Sequence, residues 1–155
     1  MNGKLSWPIF RALLVAFVVV ASVFFIAAFI PAFRGPTFLW FITISGAVFF
    51  LLGGALIFFT VKEKVGGMPK KFLLLTGASA VGFLVFVFLH NAVYGLFIHF
   101  FGADFWDRIG GADEPVFFFM AIIICPLGFL VGAVGSIVLA IKKLRMAKKS
   151  PSSPQ

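Results

Sequence analysis

Lys62-Glu-Lys-Val-Gly-Gly-Met-Pro-Lys-Lys71 is the stretch on which the fold turns. Four lysines lie between two long apolar runs, and Gly66, Gly67 and Pro69 interrupt helix among them. Such a segment predicts a loop that ends one membrane helix and begins the next, held on the cytoplasmic face by its charge. On its N-terminal side, Thr37 to Val61 carries no charged residue. On its C-terminal side, neither does Phe72 to Ile98. Either run exceeds the roughly 20 residues that a bilayer needs. Two further apolar runs flank this pair, so four spans are predicted at about 7–30, 37–61, 72–98 and 114–141.

Charge outside the spans gives an orientation. Of the 13 Lys and Arg residues, all but Arg34 and Arg108 fall in the N-terminal segment, the Lys62–Lys71 loop or the C-terminal tail. Asp104, Asp107, Asp113 and Glu114 lie instead in the last gap, with Arg108. Positive residues keep short loops in the cytoplasm. The expectation is an all-α integral membrane four-helix bundle of two antiparallel transmembrane hairpins, N-in/C-in, in the cell's inner membrane. A single domain covers 1–145, and 146–155, ending Ser-Pro-Ser-Ser-Pro-Gln, has the composition of a disordered cytoplasmic tail. The first span is expected to be permanent. Its apolar stretch is longer than a usual signal core, and no Ala-x-Ala site precedes Arg34.

Composition excludes several function classes. Hydrophobic residues make up 62% of the chain and charged ones 12%, more apolar surface than a soluble domain of this size can bury. The net charge of +8 does not indicate nucleic acid, because the cations cluster at span ends. They fit topology control and attraction to anionic lipid heads. The one cysteine, Cys125, permits no internal disulfide, CxxC pair or cysteine metal knuckle. The 24 phenylalanines are expected to face lipid or fill gaps between glycine faces.

Local signals add detail. Ser6 is the expected N-cap of the first span and Asp113 that of the fourth, with Pro8 and Pro115 in the respective first turns. Trp106 suits the head-group level, and Pro126 is expected to break a backbone hydrogen bond and kink the fourth span. In that span Gly128, Gly132, Ser136 and Ala140 recur every four residues. Such a small-residue stripe serves helix packing, within the chain or against a partner.

One polar constellation stands out: His90, Asn91, Tyr94 and His99 on the third span, with Asp113 and Glu114 entering the fourth span from the same outer surface. A neighbouring fourth helix would bring Glu114 within reach of Tyr94, His99 or, with a tilt, His90. The four acids of the last gap are expected to face outer water. The group can hold an outward-facing ligand or simply hydrogen-bond the helices together. No metal is predicted, since no tight spacing such as HxxxH occurs, and no cofactor, since both histidines lie on one helix and cannot form an internal bis-His haem site. The central Ser22, Thr43, Ser45, Thr76, Ser79 and Ser136 can back-bond to their own helices. No phosphate-cradling loop, nucleophile elbow or intramembrane carboxylate pair is present, and no residue pattern marks a known four-span family. The expected function is that of a non-catalytic accessory or scaffolding subunit, partnered by other membrane subunits or by itself. The alternative is a small transporter or ligand-binding or lipid-binding protein using a pocket around His90, Tyr94 and Glu114.

Overall fold

The computed structural model describes residues 4–30, 35–111 and 114–149. The elements are α1 (Ser6–Phe29), α2 (Pro36–Lys62), α3 (Gly67–Phe101), α4 (Phe105–Arg108), α5 (Pro115–Phe119), a π-helical turn (Met120–Ile124) and α6 (Cys125–Lys149). Among the described residues no strand occurs. Four helices are long and apolar enough to cross a membrane: α1, α2, α3 and the continuous α5–π–α6 rod, here the fourth span. Arg34 and most of the first connection lie outside the described residues, as do Asp113 and 150–155.

Pairwise contacts give the directions. Phe24 meets Phe38 near one end of α1, while Glu63 bonds Ser6 at the other, so α1 and α2 are antiparallel. Gly53 lies against Gly77, and Gly46 against Leu84, which makes α2 and α3 antiparallel. Gly132 sits on Thr76 and Gly82 on Cys125, so the fourth span also runs antiparallel to α3. Phe17 of α1 stacks on Phe129 of α6, with centroids 4.7 Å apart. The buried core of Phe10, Leu13, Leu56, Leu73, Phe129 and Ala133 lies between the four spans. The helices' outer sides carry Val15, Leu51, Phe88 and Val134, all exposed, as hydrocarbon solvent allows.

Helix ends depart from expectation in informative ways. Ser6 is not the N-cap of α1: Leu5 is, and Ser6 is the first helical residue. The cap comes from 57 residues away. Glu63, at the C-cap of α2, accepts from Leu5 N–H at 2.7 Å and Ser6 N–H at 3.1 Å, and from the Ser6 hydroxyl. One carboxylate thus satisfies two orphan donors that α1 cannot satisfy itself. Gly67 and Pro69 do not lie outside the helices. They form the first turn of α3, where a missing N–H costs nothing. At the far end Gly102, at φ 96°, stops α3 in a conformation that side chains resist. The helix expected to end near Ile141 continues through Lys149, carrying 146–149 with it.

The Ser6 hydroxyl, aided by the two N–H groups, holds the Glu63 carboxyl below its ordinary value. A depressed carboxyl contributes stability above its unfolded-state pKa and loses it as pH falls through the lowered folded value. The parent protein is therefore expected to lose more thermal stability than Glu63→Ala below about pH 4.3. Melting curves of both proteins across that window check this.

Small residues set the helix spacing. A Cβ on Gly132 would meet Thr76 N at 2.7 Å and Phe72 O at 2.9 Å, and one on Gly128 would meet Ser79 Oγ at 2.5 Å. Two members of the stripe thus face α3 within the chain. Ser136 is buried too, and its hydroxyl has no hydrogen-bond partner among the described residues. Ser22 and Thr76 behave differently, back-bonding to Val18 O and Phe72 O. An unpaired buried hydroxyl costs about 1–3 kcal/mol. Ser136→Ala is expected to raise the melting temperature, against the usual direction for a core change.

Candidate functional site

The acidic end gathers the polar residues named above, but not into one pocket. Pro115 begins the fourth span because its ring pre-sets helical φ and its missing N–H is an orphan anyway. The residue before it, Glu114, is the N-cap, in the place expected for Asp113. Its Oε1 accepts from Val116 N–H at 2.8 Å and its Oε2 from Phe117 N–H at 2.9 Å. Glu114 is 5% exposed, so this acid does not face outer water.

His90 meets this cap. Its Nδ1 lies 3.0 Å from the Glu114 carbonyl oxygen and 3.6 Å from Oε2. A carbonyl only accepts, so Nδ1 carries the proton and donates. The two residues tie α3 to the start of the fourth span, and the Phe118 ring rests 5.5 Å from the imidazole.

The other members point elsewhere. The exposed Asn91 donates to Val87 O on its own helix and lines an outward groove with Phe50, Leu84 and Phe88. Tyr94 stacks on Trp106 at 5.8 Å, nearly parallel, and Trp106 Nε1–H approaches Tyr94 O at 3.4 Å. His99 is exposed beside Phe100. Arg108 pairs with Asp104 at 3.3 Å and donates to Phe101 O, closing α4 onto the end of α3. Among the described residues no group of three metal-ligating side chains forms.

Trp106, expected at the head-group level, is buried among Tyr94, Phe97 and Phe105. The far end of this aromatic lobe stands beyond the start of α2. Gly46 is level with Leu84, so Pro36, ten residues earlier, is level with about residue 94. α3 then runs about 10 Å past the start of α2, at 1.5 Å per residue. The overhang leaves Leu96, Phe100, Phe101 and Ile109 exposed. α3's length (35 residues against 27 for α2) could have revealed it, had the turn at Gly102 been read as the helix end.

The enclosed space lies elsewhere again. An apolar chamber of about 190 Å³ sits between all four spans, in the half nearer the acidic end. Phe17, Phe49 and Phe129 floor it as a mutually contacting ring trio. Ala21, Ser45, Gly46, Ala80 and Cys125 leave the room above. Pro126 also lines it and lacks the N–H that an α-turn would offer the Ile122 carbonyl. The chain answers with the π-turn: Cys125 N–H bonds Met120 O, five residues back. The irregularity expected at Pro126 thus includes a widened turn just before it. Sequence reading missed the chamber because it arises from absent side-chain volume on four separate helices.

Comparison of the chain with protein-family models, with curated proteins and with solved structures finds no match.

Proposed function

We propose that the protein is an inner-membrane four-helix bundle with both termini in the cytoplasm, acting without catalysis as an accessory or scaffolding subunit of a membrane complex. The aromatic overhang carries this reading. Leu96, Phe100, Phe101 and Ile109 are exposed on a lobe whose far end stands beyond the start of α2. Large apolar side chains left exposed around the end of α3 offer a surface for a partner. The lysine-rich opposite end supports the orientation, and its cations suit anionic lipid heads.

A photocrosslinking amino acid at Phe100 tests the reading. Irradiated cells are expected to yield one stoichiometric protein adduct, and mild detergent is expected to recover the same partner. Polar substitutions at Phe100 and Phe101 should release it. Recovery as a lone monomer, with adducts to lipid alone, counts against a subunit role.

The second reading, a transporter or ligand-binding protein using His90, Tyr94 and Glu114, has weaker support. His90 and Glu114 are bonded to one another and to the start of the fourth span, while Tyr94 is covered by Trp106.

A further inference from the structure

We propose that the four-span chamber is a binding site for one hydrocarbon tail of a membrane lipid. This does not rest on the subunit reading. The wall is apolar except for Ser45, Ser79 and Cys125, so water would find few of the two to four partners it needs. The void exceeds the roughly 150 Å³ apolar cavity that takes up benzene. Its shape also fits a chain. From Phe17 at the floor to Phe24 near the acidic end is seven residues of α1, about 10 Å along the helix axis. The lining therefore extends along the spans, the direction in which lipid tails lie.

The environment favours this occupant over others. The outer faces carry Val15, Leu51 and Val134 into the medium, so hydrocarbon tails are the apolar molecules at hand. The chamber is only half enclosed, so a tail can enter without the helices separating. A quinone ring would want hydrogen-bond donors at its carbonyls, and the wall offers only two hydroxyls and a thiol. Entry of a tail restores the contacts that the small residues Ala21, Gly46 and Ala80 forgo.

The test uses the full chain in vesicles of phosphatidylethanolamine and phosphatidylglycerol, doped with a phospholipid bearing a diazirine in its tail. After irradiation, peptide mapping is expected to find adducts on the wall around Ser45–Phe49 and Cys125–Phe129. Ser45→Phe fills the space and should abolish those adducts while leaving outward ones at Leu51 and Val134. If Ser45→Phe does not fold, Ala21→Leu serves the same purpose. Either folded variant should melt higher than the parent in lipid-free detergent, since the void is filled. Adducts confined to outward residues overturn the proposal. So do wall adducts that survive both filling variants, or an isoprenoid quinone that co-purifies and excludes the tail.

Discussion

Gly132→Ala is expected to destabilise the protein strongly for a change of one methyl group. The added carbon would lie 2.7 Å from Thr76 N and 2.9 Å from Phe72 O, and both are backbone atoms of α3. Neither can rotate away, so the two helices must part. Overpacking of this kind costs about 1–3 kcal/mol. In a membrane the loss is felt fully, because close approach and polar contact, rather than apolar burial, hold helices together. Two controls sharpen the result. Gly128→Ala meets a Ser79 hydroxyl, the mobile end of a side chain, and should cost less. Gly54→Ala has nothing within 4 Å and should gain about 0.5–1 kcal/mol from helix propensity. Thermal unfolding in one detergent ranks the three. A Gly132→Ala protein as stable as its parent would mean that α3 and α6 do not pack as described.

Glu114→Ala is expected to rank next. It strips the buried carboxylate acceptor from the Val116 and Phe117 N–H groups. Losing an N-cap costs about 0.5–2 kcal/mol, and a buried unsatisfied donor about 1–3. Glu114→Gln retains one carbonyl oxygen and should lose less. His90→Ala removes the Nδ1–H bond to Glu114 O and should fall between Gln and Ala. The same variants separate the two functional readings. If the acidic end were a ligand pocket, Glu114→Gln and His90→Ala would abolish uptake or binding with the fold intact. The geometry predicts that folding suffers first.

Much of the architecture was legible because helices able to cross a membrane announce themselves by length and apolar composition. The run from Thr37 to Val61 has no other stable fate in hydrocarbon, since every backbone polar group must bond within the segment. The stripe through Gly128 and Gly132 was also visible, because a period of four needs only one helix to be read. What stayed hidden required two or more elements at once. Ser6 looked like a cap because serine usually is one, and nothing local indicated that Glu63 would arrive from the next helix's end. Glu114 takes the cap because Pro115 is the first helical residue, a local signal that was there to be read. His90, Asn91, Tyr94 and His99 seemed one group on paper. On the helix, His90 turns to the fourth span, Asn91 to the outside and Tyr94 to Trp106, so their proximity in sequence did not become convergence in space.

The bond between Glu63 and the start of α1 imposes an order on biogenesis. Synthesis proceeds from the N-terminus, so Leu5 and Ser6 are made well before the carboxylate that caps them. Until Glu63 emerges, the Leu5 and Ser6 amides must be served by water at the surface. Once the second helix is in place, its end tethers the beginning of the first.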